Sequence, residues 1–299
     1  MTPSFPWPRT PGSDADPVWT GQGFDVGGKP APFLHYQKDA SAWEPALLSM
    51  HEAEAGADHY IEIASRLQAV DGLRFAATRT GAVMEVGMSS GYLLPHLRAA
   101  CPGGLVIGAD FQPDVPAKFI AKDKTYPLLQ FDVTQCPLPD ACLDVVVLLN
   151  VLEHVKDDQK ALAEVARVLK PGGIMILEVP SGPWLFDVYD AMLNHYRRYS
   201  MRSLTASVRE AGLQPVWRSH LGFFIFPGFA AVKLLSRRRF QKDPDAARRN
   251  VAKQIASNKH RPFFTFLMRL ERRLGRYIYL PFGIRCLLVA RKAGPLQAR

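Results

Sequence analysis

From Gly81 onward, short runs of apolar residues alternate with amphipathic stretches, and no other feature of the sequence constrains the fold as strongly. Short apolar runs are typical of strands buried on both faces, and the stretches between them have helical spacing. The pattern predicts the α/β class, with a doubly wound, mostly parallel sheet of seven strands between two helix layers. The predicted strands are Ala82–Val86, Leu105–Ala109, Leu128–Phe131, Leu143–Leu149, Gly172–Glu178, one near Pro215–Phe224, and Arg285–Ala290.

The other segments differ in composition from this core. Residues 1–40 are rich in proline and glycine, which disfavour helices and central strands, so an extended or mobile arm is predicted. Residues 41–80 have helical spacing with a break at Gly56, which predicts two lid helices before the sheet. Residues 81–224 are the predicted core, residues 225–284 a basic helical insertion, and residues 285–299 the last strand and a tail.

Several classes of protein are disfavoured by the composition. The four cysteines form no C-x-x-C pair, so neither a disulfide framework nor a structural zinc site is expected, and a reducing cytoplasm fits. The first residues contain no apolar stretch of the kind found in a secretory signal. The longest apolar stretch, residues 221–235, is interrupted by Pro227 and Lys233 and is too short for an ordinary transmembrane helix.

A glycine-rich turn follows the first predicted core strand. Gly87 and Gly91 flank Met88, Ser89 and Ser90, and such a turn lets backbone approach a ligand closely. The spacing is G-x-x-x-G, which argues against a dinucleotide fingerprint, a phosphate-binding P-loop and an NAD-dependent oxidoreductase.

Acidic residues end three consecutive predicted strands. Glu85 closes the first strand, Asp110 follows the second and Asp132 follows the third. Carboxylates at these ends can accept hydrogen bonds from ribose hydroxyls or from an adenine amine. The three acids beside the glycine turn therefore predict a nucleoside-binding site.

Together these motifs resemble the class I S-adenosylmethionine-dependent methyltransferases, a family of enzymes with a Rossmann-like sheet. The resemblance runs from about Gly81 to Gly222 and includes the last strand. It implies S-adenosylmethionine as the cofactor and methyl transfer as the reaction. The motifs that carry it are Val83–Gly91, Gly108–Asp110, Phe131–Val133, Asn150–Val155 and Val168–Gly173.

The resemblance also implies the cofactor-binding residues: Glu85, Gly87, Ser89, Gly91, Asp110, Phe111, Asp132, Val133 and Asn150. The residues of the first strand and its turn would surround the methionine part, together with Asn150. Asp110 would hold the ribose, and the other three would contact the adenine. Ser89 departs from the family, which usually has a glycine there, and its side chain could crowd the cofactor.

Methyl transfer from a sulfonium is an in-line displacement, so a base is needed only where the acceptor loses a proton. The candidates are His154 after the fourth strand, and His195 and Tyr199 after the fifth, with His195 preferred because imidazole titrates near neutrality. The alternative is that these side chains cap a helix or line the cleft wall. Some quinone-precursor O-methyltransferases that resemble this chain bind a divalent metal through this turn. Asn150 replaces the first acid they use, so no metal ligand is predicted.

Aromatic side chains in the variable segments favour a small or lipophilic acceptor, such as a quinone precursor, a polyketide or a lipid-linked sugar. Oxygen is favoured over nitrogen or carbon as the methylated atom. His51, Glu54 and His59 on the lid helices are further candidates for substrate contact. The alternative functions are an N- or C-methyltransferase and a non-catalytic scaffold that keeps the fold.

Basic residues are concentrated in the insertion. Residues 233–276 contain fourteen basic and three acidic residues, a net charge of +11, whereas the whole chain carries +9. An apolar stripe at helical spacing, with arginines elsewhere on the helix, is formed by Phe263, Leu267, Leu270, Leu274 and Tyr277. Residues 221–280 are thus a candidate surface for an anionic membrane, on its inner face, or else a cover for the active site or a homodimer interface. No nucleic acid is expected, because no recognisable nucleic-acid module is present.

Overall fold

The computed structural model describes residues 5–37, 58–240 and 262–294, with the backbone alone at 236–240. The strands are β1 Pro17–Trp19, β2 Phe24–Val26, β3 Lys29–Ala31, β4 Leu34–His35, β5 Ala82–Val86, β6 Leu105–Asp110, β7 Leu128–Gln130, β8 Leu143–Leu149, β9 Leu169–Pro180, β10 Leu213–Leu221 and β11 Arg285–Lys292. The helices are α1 Tyr60–Gly72, α2 Leu94–Ala100, α3 Asp114–Ile120, α4 Asp158–Val168, α5 Val188–Met192, α6 Met201–Glu210, α7 Phe226–Phe240 and α8 Pro262–Leu274. Short 3-10 turns lie at Leu73–Phe75, Val133–Gln135, Leu152–His154 and Pro183–Leu185.

The central sheet has the strand order β10-β11-β9-β8-β5-β6-β7-β4. The six strands from β9 to β4 are parallel, and β11 runs antiparallel to both of its neighbours. From β5 the chain builds outward in one direction through β6 and β7, and in the other through β8 and β9. The point where the order reverses is where an open α/β sheet binds ligands, outside the carboxyl ends of its strands. The predicted α/β sheet is confirmed, with all seven predicted strands present.

Two apolar layers sandwich this sheet. Neighbouring residues of one strand, such as Val83 and Met84, belong to opposite layers, as the alternation of side chains along a strand requires. Helices α4 and α6 pack in one layer, and α1, α2 and α3 pack in the other. The predicted second lid helix is α1, while the first lies outside the described residues.

The N-terminal arm departs from the prediction, which was wrong in expecting an extended or mobile segment. Strands β1, β2 and β3 form a small antiparallel sheet, and β4 adds an eighth strand to the main sheet, parallel to β7. Phe24 and Leu34 are buried, and the edge of the Trp7 ring packs on Phe24 with a centroid separation of 5.0 Å. These isolated apolar anchors hold the segment in place, although its prolines and glycines disfavour long regular elements.

Helix α8 buries a different face from the predicted stripe. Phe264 stacks on Tyr60 of α1 at 5.2 Å, and Met268 and Glu271 are buried beside it. Phe263 and Tyr277 of the predicted stripe point to solvent instead. Leu267 of the stripe packs with this buried cluster. The apolar stripe alone does not reveal the inner face of the helix, because the charged residue Glu271 is buried on it. Within the described part of the chain, no helix combines the length and the apolar character needed to cross a bilayer.

Glu271 fastens α8 to the end of β10. Its carboxylate accepts hydrogen bonds from the backbone N–H of Gly222 at 2.6 Å and of Phe224 at 3.4 Å. Burial raises the pKa of Glu271 to about 7, an effect that these N–H donors partly oppose. The donors lie in a partly buried loop, so they depend on this carboxylate for their hydrogen bonds.

We expect Glu271→Ala to lower the free energy of unfolding by about 1 to 3 kcal/mol, because it leaves the buried N–H of Gly222 unpaired. Glu271→Gln keeps one acceptor oxygen, so its free energy of unfolding should fall by less. Chemical denaturation measures both, and Leu270→Ala on the exposed side of α8 is the matched control. A Glu271→Ala protein as stable as its Leu270→Ala counterpart would show that the carboxylate does not fasten the helix.

Candidate active site

The turn after β5 leaves no room for side chains at its two glycines. Gly87 and Gly91 have φ angles of +74° and +71°. A Cβ would lie 2.3 Å from Val151 Cγ2 at Gly87 and 2.3 Å from the Phe119 ring at Gly91. Ser89 between them also has a positive φ, +46°, a conformation that favours glycine. Ser89, which stands where the resembling family usually has a glycine, therefore adopts a backbone conformation that glycine would adopt more easily.

Asp110 at the end of β6 is held by this turn. Its Oδ2 accepts from the Ser89 N–H at 3.0 Å, and its Oδ1 accepts from the Gln112 N–H at 2.9 Å. Burial raises the pKa of Asp110 to about 6, although backbone donors from Gln112, Ser89 and Phe111 oppose the shift. A carboxylate has about four acceptor positions, so this one keeps acceptor capacity for a ligand.

Glu85 at the end of β5 is buried and incompletely paired. Its Oε2 has no hydrogen-bond partner among the described residues. Burial and the nearby charge of Asp110 raise the pKa of Glu85 well above its usual value, while Arg66 of α1 opposes them. Because buried carboxyl oxygens are normally hydrogen-bonded, the site fits a ligand that brings a donor to this oxygen.

The residues predicted to contact adenine follow the neighbouring strands β6 and β7. Asp132 Oδ1 accepts from the Thr134 N–H at 2.8 Å and begins the turn that contains Val133. The carbonyl of Phe111 accepts from Gln130 Nε2 at 2.9 Å. The structure therefore brings these residues to the same edge of the sheet as Asp110.

Asn150 follows β8 and contacts the end of β9. Its backbone has a φ of +53°, its N–H donates to the Glu178 carbonyl at 2.9 Å, and its Nδ2 lies 3.4 Å from Glu178 Oε1. The sequence reasoning missed Glu178 as a site residue. The sequence could have indicated Glu178, because it ends a predicted strand, as the candidate residues Glu85, Asp110 and Asp132 do.

A buried ion network connects Glu178 to the lid helix. Its Oε1 also accepts from Ser65 Oγ of α1 at 2.6 Å and from Arg285 of β11 at 2.7 Å. Arg285 forms a second ion pair with Glu62 of α1. Burial alone lowers the pKa of Arg285, but the two carboxylates outweigh it and raise the pKa. The network ties the lid helix to the strands that border the cleft.

His195 is oriented by a buried carboxylate. Its Nδ1 lies 3.0 Å from Asp190 Oδ1, and Asp190 also accepts from Arg198 and from Lys233 of α7. Burial alone raises the pKa of Asp190, but the His195 hydrogen bond and the charges of Arg198 and Lys233 outweigh it and lower the pKa. An ionised carboxylate only accepts, so Nδ1 carries the hydrogen and Nε2 keeps the basic lone pair.

Glu153 and His154 complete a cluster with His195. The two imidazole rings are 4.6 Å apart, and each of the three residues has a possible ligand atom within 4.8 Å of the others. Glu153 is fully buried, and neither carboxylate oxygen has a hydrogen-bond partner among the described residues. Burial raises its pKa to about 7, although His195 opposes the shift. The Glu153 carboxyl can therefore exchange a proton near neutral pH. The expected absence of a metal ligand stays a prediction.

Tyr199 and His59, two further predicted site residues, contact other residues than the cluster of Glu153, His154 and His195. The Tyr199 hydroxyl donates to Asp158 Oδ2 at 2.8 Å, and burial together with this carboxylate raises its pKa. This contact holds the loop after β9 to α4, and its catalytic role stays a prediction. His59 stacks on Tyr60 at the start of α1. Two further candidates lie outside the described residues, His51 and Glu54.

Known proteins share the segment that builds this edge of the sheet. Residues 84–177 match the family model of a methyltransferase domain. A Mycobacterium tuberculosis protein named as a probable S-adenosylmethionine-dependent methyltransferase is 30% identical over 136 residues, which are 45% of this chain and 49% of the relative. Over this segment the chain is similar to the class I S-adenosylmethionine-dependent methyltransferases.

Two further proteins are similar to this chain, one in sequence and one in fold. Demethylmenaquinone methyltransferase of Thermus thermophilus is 34% identical over 106 residues, covering 34% of this chain and 48% of the relative. The structure of Haemonchus contortus phosphoethanolamine N-methyltransferase 2 with S-adenosyl-L-methionine has a TM-score of 0.52 at 17% identity, covering 82% of this chain and 56% of that one. This second likeness shows the fold alone. The chain spans about half the length of the curated relatives it matches.

Proposed function

We propose that the protein is an S-adenosylmethionine-dependent methyltransferase that acts on a small or lipophilic acceptor. The observation that carries the proposal is the cradle at the end of β5 and β6. Gly87 and Gly91 admit no side chain, and the carboxyl groups of Glu85 and Asp110 are buried beside them with acceptor capacity left over. The match of residues 84–177 to a methyltransferase domain supports the same reaction.

The residues of the cradle match the groups of this cofactor. Asp110 would accept hydrogen bonds from the ribose hydroxyls, and Glu85 from the ammonium group of the methionine part. Asp132 and the Val133 N–H would contact the adenine, and Asn150 would lie at the methionine end. When bound, S-adenosylmethionine supplies a methyl group that is electrophilic because it is attached to a sulfonium.

The residues after β8 and β9 handle the proton of the acceptor. His195 Nε2 would take a proton from an acceptor hydroxyl, while Asp190 holds the ring by its Nδ1–H. Glu153 lies in the same cluster, and a carboxyl group with a pKa of about 7 can pass a proton onward at neutral pH. This arrangement favours oxygen as the methylated atom.

A quinone precursor is the acceptor we propose first. A relative that shares the core segment is named for its action on demethylmenaquinone. Aromatic side chains also continue from the end of β9 into the insertion, where Trp184 contacts Phe226 and Phe226 contacts Phe282. Such a surface suits an aromatic or isoprenoid acceptor.

The proposal is tested by incubating the full chain with methyl-labelled S-adenosylmethionine and hydroquinones or catechols that differ in their apolar tail. We expect S-adenosylhomocysteine and a labelled ether, located by mass spectrometry. A label on carbon or nitrogen would correct the acceptor atom. Cofactor binding without turnover of any of these compounds would overturn the proposed acceptor class.

The pKa of Asp110 makes cofactor binding depend on pH. Its folded-state pKa of about 6 lies above the ordinary value, so folding favours the protonated form, and this contribution to stability is lost as the pH rises from about 4 to 6. Ribose recognition requires the carboxylate. We therefore expect S-adenosylmethionine to bind about tenfold more weakly at about pH 5 than near neutrality. Titration calorimetry measures this, and Asp110→Asn should flatten the profile.

A further inference from the structure

The outer side of α8 exposes large apolar side chains. Phe263, Phe266 and Tyr277 are 66%, 61% and 85% exposed, and Leu270 lies between them on the same side. The opposite side of the helix packs on α1 through Phe264 and Met268. A group of exposed aromatic residues of this kind marks an interaction site more often than a solvated surface.

Positive charge accompanies these apolar residues. Arg269 and Arg273 are exposed on the outer side of α8. From Pro262 to Phe282 the sequence has a single acidic residue, Glu271, and it is buried. Arg272 and Arg276 pair with Asp71 of α1, at 2.6 and 2.8 Å, and so hold the helix in this orientation. The exposed side is therefore apolar and positive, with no acidic group of its own.

We propose that this surface docks on an anionic lipid bilayer. We call it the docking face, and its members are Phe263, Phe266, Arg269, Leu270, Arg273 and Tyr277. The aromatic and aliphatic side chains would enter the interfacial region, while the arginines pair with lipid phosphates. The positive charge of this face favours an anionic bilayer over a second copy of the chain. A symmetric dimer would place Arg269 and Arg273 of both copies close together, and their like charges would repel.

Helix α8, whose outer side carries the docking face, is joined to the loop after β10 by its inner side. Glu271 of α8 holds the loop after β10, where Phe223 packs on Phe282 at 4.5 Å. Phe282 packs on Phe226 at 5.4 Å, and Phe226 packs on Trp184, just after the carboxyl end of β9. A row of aromatic contacts thus runs from the loop after β10 to the carboxyl end of β9. Its use by a lipophilic acceptor rests on the proposed function, whereas the docking itself does not.

Vesicle sedimentation of the full chain tests the docking face. The vesicles are phosphatidylcholine alone or equal parts of phosphatidylcholine and phosphatidylglycerol. We expect sedimentation with the mixed vesicles at moderate salt. Arg269→Ser with Arg273→Ser should reduce partitioning about thirtyfold, about fivefold for each arginine. Phe263→Ser with Phe266→Ser should also abolish most of the binding.

Matched pairs of variants control for charge and for apolar surface. Arg202→Ser with Arg209→Ser removes two exposed arginines from α6, in the other helix layer, and Val18→Ser with Val216→Ser removes exposed apolar groups elsewhere. Both pairs should sediment like the unmodified chain. Every variant should also bind S-adenosylmethionine normally, which separates this test from that of the proposed function.

Three outcomes would overturn the proposal. The first is no sedimentation of the unmodified chain with mixed vesicles, and the second is an equal loss in the α6 control pair. The third is a dimer in light scattering that Phe263→Ser with Phe266→Ser dissociates, without any vesicle binding, which would assign the face to a second copy.

Discussion

Asp110→Ala is expected to weaken S-adenosylmethionine binding by about 10²- to 10⁴-fold. The substitution would remove the two charge-assisted hydrogen bonds that we propose Asp110 accepts from the ribose, each worth about 1.5 to 3 kcal/mol. It also leaves the N–H groups of Ser89 and Gln112 without the acceptor that shapes the turn. Titration calorimetry measures the change, and thermal unfolding verifies that the variant is folded.

The matched control is Asp114→Ala, which removes an exposed acid four residues away, in the first turn of α3. It should bind the cofactor as the unmodified chain does. Asp110→Asn keeps the shape of the side chain and part of its acceptor capacity, so its loss should be intermediate. Equal affinity in the Asp110→Ala and Asp114→Ala proteins would show that the cofactor does not reach β6.

His195→Ala is expected to lower kcat by about 10²- to 10⁴-fold while the affinity for S-adenosylmethionine stays unchanged. The reason is that the variant lacks the basic nitrogen that we propose takes the proton of the acceptor. His96→Ala, on the exposed side of α2, is the matched control and should retain full activity. Single-turnover kinetics with saturating cofactor separates the chemical step from binding.

Asp190→Asn extends this test to the residue that positions His195. Asparagine can present its N–H to Nδ1 and so stabilise the wrong tautomer, which moves the hydrogen to Nε2. We expect a lower kcat and a shifted pH profile. A rate for His195→Ala within about threefold of the unmodified chain, a difference below 1 kcal/mol, would place the base elsewhere.

The core strands are predictable because their signal is local. The predicted bounds of β5 and β8 agree with the structure at every residue, since both strands are mainly apolar and mostly buried, with one acidic residue in each. The N-terminal strands escaped prediction because Phe24 and Leu34 are single anchors within proline- and glycine-rich sequence. The inner face of α8 escaped it because Glu271 is buried by its bonds to a loop that lies far away in sequence.

In the candidate site, too, some residues are predictable from the sequence and others are not. The acidic residues at the strand ends can be predicted because each lies at the end of an apolar run in the sequence. The structure brings Glu85 and Asp110 together as expected. The pairing of Arg285 with Glu62 and Glu178 joins three elements that are separated by 107 and 223 residues. The contact of Lys233 with Asp190 likewise depends on where the insertion folds back. Such ion pairs are set by tertiary structure, and no local pattern contains them.

The central claim is that the edge of the sheet beside Glu85 and Asp110 binds S-adenosylmethionine. Calorimetric titration of the unmodified full chain with S-adenosylhomocysteine, near neutral pH, tests it most directly, because this product analogue needs no acceptor and does not turn over. The account predicts saturable binding at one site per chain. The absence of saturable binding by a folded chain would contradict it.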